Sequence, residues 1–177
     1  MKSILVLVMV AMNFAGIAQK ITYTVSNDPK GSGLIYNGLV TFNNLDAEAA
    51  FDWLKDGREQ YKPDQKAFDY LNTHLKEYST VVFLGTWCDD SHELVPKLEK
   101  LLQMTGYPAG KLTMYGTDRA KKTKDGADKK YNITLVPTII LFSNGKEAGR
   151  ITETVKKSIE ADLMNIIERD QRSRPAH

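Results

Sequence analysis

The sequence has little cysteine and little net charge. Its 177 residues include one cysteine, Cys88, so the chain cannot form a disulfide within itself. The formal net charge is only +2, and no basic run is interleaved with aromatic residues, which argues against nucleic acid as a partner. No histidine or cysteine pair stands at metal-ligand spacing. We therefore expect neither a metal site nor a cofactor.

Long apolar runs are also missing beyond the N-terminus. Met1–Ser3 carries a positive charge, residues 4–14 are apolar and uncharged, and Gly16–Ala18 supplies small residues for a signal peptidase. This pattern predicts a signal peptide over residues 1–18 and export to a periplasm or out of the cell. The stretch is too short to span a bilayer comfortably, so we expect no membrane anchor after cleavage. The alternative is a buried N-terminal strand or helix.

Hydrophobic periodicity predicts strands alternating with helices in the rest of the chain. The predicted strands are 21–25, 34–42, 80–84, 112–115, 138–142 and 147–151. The predicted helices begin at Asp46, Asp64 and Cys88, a short one follows residue 118, and the last one contains Ile159. This order predicts an α/β fold whose central mixed sheet is mostly parallel, has helices on both faces and ends in an antiparallel hairpin.

The chain length and a hydrophobic content of 42% favour one globular domain. We divide the chain into a signal peptide over residues 1–18 and an N-terminal strand–helix extension over 19–62 that packs on the domain. The main domain covers residues 63–170, and a frayed polar tail covers 171–177.

Cys88 lies where a buried strand is predicted to end and a helix to begin. Free N–H groups and the helix dipole at such a position stabilise a thiolate, which is the form that attacks disulfides. Ser91 stands one helical turn further on, where its hydroxyl can donate a hydrogen bond to the sulfur. Asp89 and Asp90 oppose the thiolate by charge repulsion, and basic residues 119–124 can offset them. His92 is expected to be an exposed helical histidine; the alternative is a general base for Cys88.

Three segments resemble the thioredoxin superfamily. The segment Trp87–Ser91 is similar to the family's Trp-Cys-x-x-Cys site, with serine in place of the second cysteine. Pro96 stands where the family's active-site helix carries a proline, and residues 131–146 are similar to its cis-proline strand and hairpin. The resemblance covers roughly residues 64–169. The wider sequence, including the Asp-Arg pair at residues 118–119, also resembles exported thioredoxin-like proteins of the Bacteroidetes.

The resemblance implies a thioredoxin-like fold in which Val136 and Pro137 face Cys88. These two residues, with Trp87, would bind the backbone of an extended substrate. Two departures from the family pattern are evident. The resolving cysteine is missing, and Val82 replaces the buried acid of many dithiol members. Ordinary dithiol turnover needs a second thiol to release the mixed disulfide, which Ser91 cannot supply.

The leading hypothesis is an exported monothiol thiol–disulfide oxidoreductase of the cell envelope. Its substrate would be a disulfide of a protein or small thiol, and an external thiol would be the reductant. The alternative is a redox-silent module that binds a peptide or partner protein in the groove beside Pro137. A third hypothesis is capture of partners as lasting mixed disulfides. A peroxiredoxin is disfavoured, because Gly85 stands where that family's motif requires threonine.

Overall fold

The computed structural model describes residues 23–31 and 33–174. The predicted signal peptide lies outside the described residues. Six strands form one sheet in the order β1-β2-β4-β3-β5-β6. They are β1 Tyr23–Asn27, β2 Leu34–Val40, β3 Ser79–Leu84, β4 Leu112–Gly116, β5 Thr138–Ser143 and β6 Lys146–Thr152. The predicted mixed sheet is confirmed, but its mostly parallel character is not. Only β3 and β4 pair in parallel, and the other four pairs are antiparallel.

Within the described part of the chain, six α-helices accompany the sheet. They are α1 Phe42–Asp46, α2 Asp52–Gln60, α3 Gln65–His74, α4 Asp89–Met104, α5 Ala127–Lys130 and α6 Ile159–Ser173. The prediction that a helix begins at Asp46 is wrong, because Asp46 ends α1. Thr41 caps α1 instead, in a reciprocal capping box with Asn44. A helix begins next to Asp64 as predicted. Asp64 is the N-cap of α3, with its carboxylate accepting from the N–H of Ala67 at 3.0 Å.

The two faces of the sheet are covered unequally. Alternate residues of a strand point to opposite faces, so Val82 and Leu84 of β3 enter one apolar cluster and Val81 and Phe83 the other. We call the first the thick face, since α1, α2, α3, α4 and α6 all contribute buried side chains to it. We call the second the thin face. Its buried members are Val81, Phe83, Ala127, Ile133, Val136 and Ile140.

The N-terminal elements join the rest of the chain through both the sheet and α4. β2 pairs with β4, and the backbones come so close that a Cβ added at Gly116 would lie 2.1 Å from the carbonyl oxygen of Tyr36. α2 packs on α4, with Gly57 against the ring of Pro96. The β1–β2 hairpin thereby extends the sheet beyond β4 and places its loop near the end of β4.

The C-terminal end of α6 differs from the predicted polar tail. Residues 171–173 continue the helix, and Tyr70 donates a hydrogen bond to Gln171 at 2.9 Å. Arg174 donates to Asp170 at 2.6 Å and to the Tyr78 hydroxyl at 2.9 Å. The last described turn is therefore packed on the domain. Along the described residues, no helix is both long enough and apolar enough to cross a membrane.

Candidate thiol site

Cys88 begins the helix that follows the central strand β3. The chain turns through residues 85–87, and the N–H of Cys88 donates to the carbonyl of Gly85 at 3.0 Å. Cys88 occupies the N-cap position of α4 with extended backbone angles, and its thiol is half-buried. Cys88 therefore lies at the N-terminus of α4, next to the N–H groups of the first turn. The helix dipole favours negative charge at this end.

The structure brings Cys88 together with the predicted substrate-binding pair. The thiol donates a hydrogen bond to the carbonyl oxygen of Val136 at 3.3 Å. The peptide bond between Val136 and Pro137 is cis. Leu135, just before them, is 36% exposed, which makes it one of the few large apolar side chains on the surface. The sulfur therefore lies against the backbone of Val136, one residue from the exposed side chain of Leu135.

Trp87 is fixed by contacts on several sides. Its indole N–H donates to the carbonyl of Thr117 at 2.9 Å. Its ring lies against Gly85, where an added Cβ would come within 2.7 Å of the indole. Arg119 and Lys121 lie over the same ring, with the guanidinium carbon 5.0 Å and the ammonium nitrogen 5.6 Å from a ring centroid. Trp87 therefore forms one fixed wall beside the thiol.

Ser91 does not have the partner predicted for it. Its side chain is fully buried, and its hydroxyl oxygen accepts a hydrogen bond from the N–H of Gly85 at 3.1 Å. Among the described residues there is no hydrogen bond between Ser91 and Cys88. The predicted donation to the sulfur is thus not observed, and the turn from β3 into α4 places the hydroxyl oxygen against the N–H of Gly85. Ser91 stabilises the backbone that presents Cys88.

The charged residues around the thiol come from three parts of the chain. Asp89 is exposed and Asp90 half-buried, both in the first turn of α4, where the helix dipole favours carboxylates. Asp28, from the β1–β2 loop, receives both Nε and Nη2 of Arg119 at 2.6 Å. These hydrogen bonds lower the pKa of Asp28 to about 2. The sequence shows Arg119 as part of a basic segment but carries no signal for Asp28, which lies 91 residues away.

His92 is not the exposed histidine that was predicted. It is half-buried, and its ring stacks on Trp53 with centroids 4.3 Å apart. Its Nε2 lies 2.9 Å from the carbonyl oxygen of Thr86. The ring is thus engaged with backbone and with α2, and the geometry gives no support to a general base acting on Cys88.

Two further observations concern groups other than the thiol. The side chain of Val82 is fully buried in the thick face. No group of three potential metal ligands occurs within the described residues.

A half-buried thiol at a helix start, next to an X-Pro bond and on a mixed sheet, defines the class of thioredoxin-fold proteins. A family model described as thioredoxin matches residues 61–168, and the chain belongs to that family. At the family level, this membership indicates thiol–disulfide redox chemistry, with protein or thiol substrates.

Individual relatives agree with this membership. A thioredoxin of Chlamydia pneumoniae is 28% identical over 86 residues, which is 48% of this chain and 78% of that one. A thioredoxin of Echinococcus granulosus is 32% identical over 85 residues, which is 47% of this chain and 74% of that one. A solved protein of unknown function from Pseudomonas aeruginosa has a TM-score of 0.54 at 14% identity, covering 72% of this chain and 90% of that one. Similarity at that identity shows the fold alone.

Proposed function

We propose that the protein is an exported monothiol thiol–disulfide oxidoreductase of the cell envelope, with Cys88 as the nucleophile. The observation that supports this most strongly is the placement of the Cys88 sulfur at the start of α4, 3.3 Å from the carbonyl oxygen of Val136. An extended substrate that lies along residues 135–137 would bring its disulfide to the sulfur. Trp87 would close the side of that groove.

The chemistry has two balanced steps. The Cys88 thiolate attacks one sulfur of the substrate disulfide, which forms a mixed disulfide and releases the other sulfur as a thiolate. The thiolate of an external thiol then attacks the substrate sulfur of that mixed disulfide. This step frees the Cys88 thiolate and leaves the substrate disulfide-bonded to the external thiol. The external thiol is required because the 177 residues contain no second cysteine.

The direct test follows release of a labelled peptide from its mixed disulfide with a small thiol, with reduced small thiol as the second reactant. We expect turnover by the wild-type protein and none above background by Cys88→Ala. A trapped mixed disulfide at Cys88, seen by mass spectrometry when the external thiol is omitted, would identify the intermediate. An unmodified Cys88 together with background turnover would contradict the proposal. If Cys88→Ala then still retained a peptide partner, the binding-module alternative would replace it.

Ser91→Cys tests whether the missing thiol limits the protein to this route. Position 91 lies one turn along α4 from Cys88, so we expect the variant to form an internal disulfide and to release substrate without an external thiol. Ser91→Ala is the matched control. It leaves the N–H of Gly85 without its acceptor and should lower the free energy of unfolding by about 1–3 kcal/mol while keeping the monothiol reaction. If Ser91→Cys behaved like Ser91→Ala, the serine would not be what determines the route.

Export is tested separately, by expressing the full chain in a bacterial host and analysing the mature protein by mass spectrometry. We expect a periplasmic or secreted product that begins at Gln19, and retention of residues 1–18 would contradict this part of the proposal.

A further inference from the structure

We propose that Asp28 and Arg119 form a positioning pair for the thiol site. Asp28 holds the Arg119 guanidinium over Trp87, and from there Arg119 favours the thiolate of Cys88. The inference rests on the proposed function only in taking the thiolate as the reactive form. It assigns a role in the site to the β1–β2 loop, which lies outside the residues 61–168 matched by the family model.

The geometry of the pair is that of a fixed fork. Nε and Nη2 of Arg119 each lie 2.6 Å from a different oxygen of Asp28, which is the bidentate arrangement that sets both the position and the plane of a guanidinium. Asp28 is itself anchored in its loop. Its carboxylate accepts from the N–H of Lys30 at 3.0 Å, and its own N–H donates to Gly33 at 2.9 Å.

The fork places Arg119 against the residue that precedes the thiol. The guanidinium lies 5.0 Å from the Trp87 ring, and Gly85 approaches the indole from the turn below it. Trp87 is therefore covered by Arg119 on one side and held by Gly85 and the carbonyl of Thr117 on others. If Arg119 moved, one side of the Trp87 ring, next to Cys88, would become exposed.

Charged residues of both signs lie near Cys88, so the charge balance at the sulfur depends on where Arg119 is held. Asp89 and Asp90 bring negative charge from α4, and Lys121 brings positive charge from the same loop as Arg119. The pKa of Arg119 is raised, chiefly by its hydrogen bonds to Asp28 and in smaller part by the charges of Cys88 and Asp89. A positive charge held over Trp87 attracts negative charge at the neighbouring Cys88, and this attraction is the basis for assigning Arg119 a preference for the thiolate.

The test is a double-mutant cycle on the alkylation rate of Cys88 by neutral iodoacetamide, followed from pH 5 to pH 10 in the full chain. Arg119→Met should slow alkylation at pH 7 by about threefold to tenfold, the order expected when one unit charge is removed near a partly exposed thiol. The alkylation rates should converge at high pH, where the Cys88 thiol is ionised in every variant. In the Asp28→Asn background, Arg119→Met should change the rate by less than about twofold, because the guanidinium is no longer held in place.

Two measurements guard against a purely structural effect. Asp28→Asn combined with Arg119→Met leaves no unpaired charge in the pair, so it should fold even if Arg119→Met alone is unstable. In a Trp53→Phe background, where Trp87 is the remaining tryptophan, Asp28→Asn and Arg119→Met should both shift the emission to longer wavelength. Arg172→Met removes a cation that pairs with Glu168 on α6, and it should alter neither the alkylation profile nor the emission.

Equal effects of Arg119→Met on alkylation in the wild type and in Asp28→Asn would overturn the proposal that the two residues act as a pair. An alkylation rate that is unchanged in all variants would show that the pair is only a structural contact. Either result leaves the exchange reaction to be judged by its own assay, since alkylation requires no disulfide substrate. Conversely, coupling between the two residues with no exchange activity would support the pair and refute the proposed function.

Discussion

The thick and thin faces of the sheet differ in what covers them and in what they carry. Among the described residues, the thick face has 22 buried members, most of them from five α-helices and five strands, and the thin face has six. Cys88 and Trp87 pack against the thin face, where the ring of Phe83 lies against the rings of Tyr115 and Tyr131. Only the four-residue α5 contributes a helix there.

This difference separates stability from reactivity. Burial of apolar area is the main source of folding free energy, so the thick face supplies most of it. A reactive thiol needs access to its substrate, which a surface covered by five helices cannot give. α4 connects the two, because its apolar residues enter the thick face while its N-cap residue, Cys88, presents the thiol at the edge of the thin one.

The largest expected effect disrupts the sheet that both faces share. In Gly116→Ala the new Cβ would meet the carbonyl oxygen of Tyr36 at 2.1 Å, a clash with backbone that only separation of β2 from β4 can relieve. We expect a loss of about 3 kcal/mol or more in the free energy of unfolding, measured by urea denaturation. Gly110→Ala is the control, since nothing lies within 4 Å of its added Cβ, and it should be nearly neutral. Equal stability of the two variants would refute the close approach of β2 to β4.

A smaller effect compares the faces directly through neighbouring valines of β3. Val82 is fully buried in the thick face, and Val81 is 7% exposed in the thin face. Val82→Ala should lower the free energy of unfolding by about 2–3 kcal/mol and Val81→Ala by about 1 kcal/mol. The difference arises because truncation in the better-packed thick face leaves a larger cavity. Urea denaturation measures both. A larger loss for Val81→Ala would show that the thin face contributes more stability than its cover suggests.

The smallest effect concerns pH at the edge of the thin face. The pKa of Asp28 falls from 3.8 to about 2, chiefly through its hydrogen bonds with Arg119. A carboxyl group whose pKa is lower in the folded than in the unfolded chain stabilises the fold at any pH above its unfolded pKa. For Asp28 this stabilisation is lost as the pH falls from about 3.8 towards 2. The difference in Tm between the wild type and Asp28→Asn should therefore be constant above pH 5 and shrink below pH 4. A difference that does not change with pH would contradict the ion pair.

Local patterns in the sequence were sufficient to predict most elements and the central contact of the site. Continuous apolar runs predicted β3 and β5, and the start of a helix at about Asp64 was predicted correctly. The expectation that Val136 faces Cys88 came from resemblance, and the 3.3 Å contact agrees with it. The start of α1 was missed because Thr41 lies at the end of a β-rich run and its box partner is asparagine rather than glutamate or glutamine.

The remaining features depend on contacts between distant residues, which spacing along the chain does not encode. Strand direction was mispredicted because alternating strands and helices suggest parallel pairing, whereas β5 enters beside β3 after a long connection with a single short helix. Ser91 stands at the right spacing for the sulfur, yet the turn before α4 places its hydroxyl oxygen against the N–H of Gly85. The pairing of Asp28 with Arg119 requires two loops to meet, and neither loop shows this in its own sequence.

One consequence of the single thiol concerns how the protein's redox state can be observed. A dithiol protein changes by only two hydrogens when its cysteines pair, so its two forms are nearly identical in mass. Cys88 has no partner within the 177 residues, so a disulfide at this position must add another molecule. Every disulfide-bonded form of the protein is therefore heavier by its partner. An intact mass spectrum taken directly from cells would report both how much of the protein is engaged and the mass of what it has bound.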